Sequence, residues 1–248
     1  MISQKISDSK EQIQKTTRDT FAICIVIVIA SLLFNSTPIR ILLVACFLMA
    51  MVEIVITRHL NGSTKERTTN FYTSLMYFAL MFAMIAVCLF HLEAKQYIFC
   101  LMLAMASDAG GLFFGRLFGN KKPEFIKNLS PRKTWAGYFG ELATTWVCGF
   151  VGLHVLKLSA SWPNVALVFL GFIACAAGDL LGSGAKRELG VRHSSDCVNR
   201  IPYLRDVEKL MRSRHGFLDC VDSVSVMLIF YVVLCCWGVS NGAPLPFS

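Results

Sequence analysis

At 248 residues, with 55% apolar side chains and only 16% charged ones, the chain is too apolar for an ordinary soluble domain. Its net charge of +8 does not call for nucleic acid. Basic loops on one side of a membrane raise the pI of any multi-pass protein, and anionic lipid head groups or a nucleotide's phosphates suit the same loops.

The chain reads as an all-α polytopic membrane protein, because several segments reach the roughly 20 apolar residues that a helix needs to cross a bilayer. Residues 1–19 are polar and mixed in charge; 4–19 is either an interfacial helix or a solvated tail. The first span, 20–35, is followed by no small-residue cleavage pattern and is expected to be retained. Spans at 38–57 and 71–91 complete an N-terminal set of membrane helices over 1–95. Within it Glu53 serves a site, or is a buried carboxylate with a helix partner, or is one near the interface.

Residues 96–248 form the second unit, with spans at 96–118, 134–156, 163–182 and 219–239 and cytosolic loops at 120–133 and 183–218. Lys and Arg concentrate in the N-terminal segment and in the loops after the second, fourth and sixth spans. The alternate loops hold only Arg40, Lys95 and Lys157. Seven spans with a cytoplasmic N-terminus put every basic loop in the cytoplasm and the uncharged C-terminal tail outside. Most cysteines, Cys24, Cys46, Cys88, Cys100, Cys148, Cys175, Cys235 and Cys236 among them, lie in apolar runs without a paired CxxC and read as small buried hydrophobes.

Ionisable groups inside spans are costly and usually functional. Asp108, Glu141 and Asp179 stand in or at the ends of apolar runs, and Asp219 and Asp222 begin the last one. Asp108 opens a stretch in which Gly110, Gly111, Gly115 and Gly119 suit close helix packing; packing accounts for neither Asp108 nor Arg116. Ser130, Pro131, Arg132, Lys133 and Thr134 lead into a span. Ser130 is the expected N-cap, with Pro131 in the first turn, and a basic helix N-terminus suits phosphate as well as it suits positive-inside charge. Gly178, Asp179, Leu180, Ser183, Lys186 and Arg187 place an acid about two turns before two bases. Asp219 and Asp222 share a helix face beside Arg214 and His215. Such a pair suits a hard divalent cation, with capping by Asp219 the competing explanation.

These four clusters, in this order, resemble the CDP-diacylglycerol synthase (phosphatidate cytidylyltransferase) family over the C-terminal part of the chain. The matching pieces are Asp108 to Gly119 ending in Gly-Arg-Leu-Phe-Gly, Ser130 to Gly137, Gly178-Asp179-Leu180 with Ser183, Lys186 and Arg187, and His215-Gly216 with Asp219, Asp222 and Ser223. The resemblance implies transfer of CMP from CTP to a membrane lipid phosphate, phosphatidic acid first, with release of pyrophosphate. It also implies Mg²⁺ and an intramembrane cavity facing the cytoplasm, in a bacterial cytoplasmic membrane or the endoplasmic reticulum. It assigns Asp219 and Asp222 to the metal, with Asp179 or Asp108 adding to them. Lys186, Arg187 and His215 join those two acids as catalytic residues. The phosphate-binding set is Asp108, Gly110, Arg116, Ser130, Pro131, Lys133, Thr134, Asp179 and Ser183. The glycine stripe and the resemblance allow a homodimer.

The chain departs from the family pattern at Arg192 and His193, where a Lys-Asp pair is usual, and at Phe217 and Cys220. The stretch from Arg187 to His215 is longer by about a dozen residues. Inside it Leu204, Val207, Leu210 and Met211 predict an amphipathic surface helix over Tyr203 to Arg214. The departures leave the lipid open and allow a lost metal ligand. A polyprenyl or ether lipid is an alternative substrate, and a CTP-dependent polyprenol kinase an alternative enzyme. A transporter would show inverted repeats and broken helices in both halves; no repeat is seen, and the intramembrane acids cluster toward the cytoplasmic side. A non-catalytic scaffold would keep partner binding when Asp219 is replaced.

Overall fold

The computed structural model describes residues 36–61, 71–90, 92–119, 123–124, 130, 133–191 and 217–240. The expected span 20–35, the segment 4–19, most of the loop 120–133 and the surface helix over 203–214 lie outside the described residues, as do Pro131, Arg192, His193 and His215. Among the described residues there are six helices and no strand: α1 Thr37–Asn61, α2 Phe71–Leu89, α3 Ala94–Phe118, α4 Trp135–Val155, α5 Trp162–Glu188 and α6 Phe217–Ser240.

Five of these, α1, α2, α3, α5 and α6, are long and apolar enough to cross a membrane. The chain is a multi-pass integral membrane protein. The segment expected as a span over 134–156 does form a helix, α4, but no span-length stretch of it, with Glu141, Thr144, Thr145 and four glycines, reaches that apolarity. The helix predicted to end at 182 continues to Glu188. Ser183, Lys186 and Arg187 therefore stand on helical turns and not in a loop. The helix stops where Gly190 adopts φ 74°, a left-handed conformation that costs glycine nothing. Gly190 N–H donates to the Arg187 carbonyl at 3.2 Å and Val191 N–H to the Lys186 carbonyl at 3.0 Å, a Schellman ending. α4 ends in the same way with Lys157 at φ 51°.

Lipid tails are as apolar as leucine, so helices in a membrane associate by close packing and hydrogen bonding more than by hydrophobic burial. α3 and α4 meet through small residues. A Cβ on Gly110 or Gly140 would collide with Thr144 or Phe114 of the facing helix, and Gly115 lies against Gly137. Thr144 Oγ1 donates across the contact to the Ala106 carbonyl at 2.9 Å. The glycine stripe is thus taken up within one chain, which removes it as an argument for a homodimer. On the other side α5 packs along α6, with Gly178 beneath the backbone of Asp222 and Ser223. α1 and α2 close the bundle against α5 and α6.

Carboxylates cap helix ends from outside. Glu188, at the end of α5, accepts from Tyr72 N–H at 3.0 Å, Thr73 N–H at 2.8 Å and Thr73 Oγ1 at 2.8 Å, closing the N-terminus of α2. Glu53 Oε2 of α1 accepts from Leu218 N–H at 2.9 Å at the start of α6. Glu53 is buried and has a helix partner, as one of its expected readings had it. Arg40 donates to the Val87 and Cys88 carbonyls at 3.1 and 2.9 Å, at the opposite end of α2. Each charge opposes the dipole of the end that it meets. These contacts gather the ends next to the expected basic loops at one end of the bundle. At the other end lie Arg40, the Tyr231–Asn164 hydrogen bond at 2.8 Å and the Trp162–Trp237 ring pair. The described cysteines are free; Cys100, Cys175 and Cys235 are buried as expected, while Cys88 and Cys236 are exposed.

Candidate active site

The acids of the expected site converge from three helices. Asp108 comes from α3, Asp179 from α5 and Asp222 from α6, close enough for their charges to act on one another. Asp179 lies roughly 14 Å along the axis from the end of α5, at 1.5 Å per residue, so the cluster is set inward from the bundle's end. Asp222 is 4% exposed and packs on Gly178 and Gly182 of α5, where a Cβ at position 182 would overlap its carboxylate. Asp222 Oδ1 accepts from the Ser223 N–H at 2.7 Å. Ser223 Oγ lies 3.5 Å from Asp108 Oδ1 and 3.4 Å from the Cys175 carbonyl, tying α6 to both α3 and α5.

Two lysines reach this group. Lys133, just ahead of α4, places Nζ 2.9 Å from Asp179 Oδ2 and 2.5 Å from Glu141 Oε1. Its ammonium also sits 5.2 Å from the centre of the Tyr138 ring. Burial disfavours the charge on Lys133, yet Asp179 and Glu141 outweigh burial and hold its pKa above the usual lysine value. Lys186, on the last turns of α5, places Nζ 3.9 Å from Asp222 Oδ2. The result is an alternation of fixed anions and cations in a low-dielectric setting, where each interaction counts for more than in water.

Other expected site residues stand elsewhere. Ser183 is half-buried on α5, while Arg116 and Arg187 are exposed on the last turns of α3 and α5. Gly110 packs on α4 and lines no open space. Ser130 does not cap α4. Its carbonyl accepts from Lys133 N–H at 3.2 Å in a turn, and the helix starts later. The cap is Thr134, buried, whose Oγ1 accepts from Gly137 N–H at 3.1 Å. Proline predisposes a first turn but does not force one, and a threonine three residues ahead of a glycine that can approach α3 serves the end better. The side chain of Asp219 lies outside the described residues, as does His215.

Glu141 is the site residue that sequence reasoning did not place. It was flagged only as an acid in an apolar run. Its link to Lys133 joins a residue ahead of the helix to one about two turns inside it, and depends on how the chain turns into α4.

Among the described residues no three His, Cys, Asp or Glu side chains gather tightly enough to hold a metal by themselves. The donors present are nevertheless hard carboxylate oxygens. Mg²⁺, which is held through one or two carboxylates with water and substrate phosphates, fits such an open set at Asp179 and Asp222.

A model of the cytidylyltransferase family matches residues 5–237. The phosphatidate cytidylyltransferase of Mycobacterium leprae is 32% identical over 128 residues, 51% of this chain and 36% of that protein. That of Haemophilus influenzae is 31% identical over 139 residues, 54% of this chain and 43% of that protein. The chloroplastic phosphatidate cytidylyltransferase 5 of Arabidopsis thaliana is 31% identical over 125 residues, 48% of this chain and 26% of that protein. The matched stretch thus spans less than half the length of each of these relatives. No solved structure matches the chain.

Proposed function

The chain belongs to the cytidylyltransferase family, and from that premise we propose that it transfers CMP from CTP to a membrane lipid phosphate, with phosphatidic acid as the first candidate. The observation that carries this reading is the convergence of Asp108, Asp179, Asp222, Lys133 and Lys186 inside one end of a membrane bundle. A lipid must stay in the bilayer while its phosphate meets a water-soluble nucleotide, and a polar cluster set inward from the surface answers that need. The names of these relatives, phosphatidate cytidylyltransferases, support phosphatidate as acceptor.

In this reading an oxygen of the lipid phosphate attacks the α-phosphorus of CTP. A new P–O bond forms, the bond to the β-phosphate oxygen breaks, and its electron pair leaves on pyrophosphate. The attacking phosphate is already an anion, so no general base is required. Lys133 and Lys186, the two cations that reach the cluster, hold phosphate oxygens and offset the charge that builds on the leaving group. Asp222 and Asp179, with Asp219, would hold Mg²⁺. That ion would supply Lewis-acid stabilisation of the phosphates. His215 contacts a phosphate or orients a carboxylate. The helix ends that lead into the basic segments after α1, α3 and α5 lie at the site's end of the bundle, which supports a seven-span topology with the N-terminus and this site toward the cytoplasm.

Pyrophosphate release by the purified chain in detergent micelles tests the proposal. Release is expected to need CTP, Mg²⁺ and the lipid phosphate together, and to vanish in Asp222→Asn. No release with phosphatidic, polyprenyl or ether lipid phosphates, from protein that melts cooperatively, would sink it.

A further inference from the structure

Lys133 is held by two acids of different character. Asp179 has 28% of its side chain exposed. Glu141 is 2% exposed, and its Oε2 is buried with no hydrogen-bond partner. Glu141 also fits a niche in α3: a Cβ added at Gly111 would lie 2.6 Å from Oε1 and 2.9 Å from Cγ. The Glu141 carboxylate is therefore buried against α3 on its own helix, while Asp179 is partly open to solvent.

We propose that Glu141 is a positioning residue for Lys133, keeping the ammonium in the cluster and aimed at the nucleotide's phosphates when Asp179 exchanges its lysine contact for the divalent cation. The inference rests on the cytidylyltransferase reading given above. A lysine is a point charge on a flexible four-carbon stem, so an unanchored Lys133 would be spread over many positions when substrate arrives. Two acids around one lysine leave an excess negative charge that a phosphate would meet with repulsion. Once Asp179 turns to a cation, the remaining Lys133–Glu141 pair is neutral and keeps donors free for a phosphate oxygen, since an ammonium has three.

The bland alternative is a buried ion pair that only stabilises the α3–α4 contact, and a double-mutant cycle separates the two. The 248-residue chain in micelles would be assayed with CTP, Mg²⁺ and phosphatidic acid, alongside thermal melting. Glu141→Gln should raise the KM for CTP about ten-fold and lower kcat less. In a Lys133→Met background the same change should have no further effect. Gly111→Ala, which displaces the carboxylate without removing its charge, should raise KM in the same direction and provides the test if Glu141→Gln folds poorly. An unchanged KM with a lower melting temperature, or an equal KM effect in both backgrounds, would overturn the positioning role. A wild-type chain that forms no pyrophosphate with any lipid phosphate would instead overturn the parent reading, and this role with it.

Discussion

Asp222 shows how a glycine makes room for chemistry. Its carboxylate lies against Gly182, and the neighbouring Gly178 lets the α6 backbone approach α5. Alanine is the better helix former by about 1 kcal/mol, so Gly182→Ala should preserve or raise helix content. It should still displace the carboxylate and cut pyrophosphate release by on the order of a hundred-fold, since sub-ångström placement governs such sites. Near-normal turnover in that variant would count against Asp222 as a working group. At this scale Asp108, Glu141, Asp179 and Asp222 were legible as charges in or beside apolar runs, and Lys133 and Lys186 through the short basic motifs that hold them. What was not legible is that Glu141 packs on Gly111 and pairs with Lys133, or that Thr134 caps α4, because those roles depend on what faces each residue.

Helix ends dominate the next scale up. α2 contains no charged residue of its own, yet Glu188 closes its N-terminus and Arg40 its C-terminus. Glu188→Ala leaves two backbone donors of Tyr72 and Thr73 without their acceptor and should cost about 1–2 kcal/mol, read as a lowered melting temperature in detergent. Glu53→Ala removes the matching acceptor at α6. Because α6 carries Asp222, that variant should lose activity as well as stability, whereas an effect on stability alone would limit Glu53 to holding the helix end. Lys157 pulls in the opposite direction. It holds a left-handed conformation that costs a non-glycine residue about 1 kcal/mol. Lys157→Gly should therefore raise the melting temperature by a few degrees while leaving turnover unchanged, as Lys157 is far from the site.

Across the whole molecule, the basic segments after α1, α3 and α5 all attach to the end that holds the acids. Cysteines introduced singly into 120–133 and into 241–248 of a cysteine-free chain should label from opposite sides of sealed vesicles. Labelling from one side would overturn the seven-span arrangement. Chelation of Mg²⁺ should abolish pyrophosphate release and re-addition restore it, with the melting temperature little changed in substrate-free protein.

The sequence by itself determined the membrane class, the positions of most helices, the family and the principal charged residues. Apolar runs of span length, charges that interrupt them and short ordered motifs are local properties that need no partner to be seen. Only the tertiary structure decided that the glycine stripe binds α4 of the same chain, that Thr134 and not Ser130 caps that helix, and that α5 runs on to Glu188. It alone joined Lys133 to both Asp179 and Glu141. Each of those outcomes is a competition between helices for contact and for helix ends, and its winner depends on which side chain stands opposite in space, which spacing along the chain does not encode.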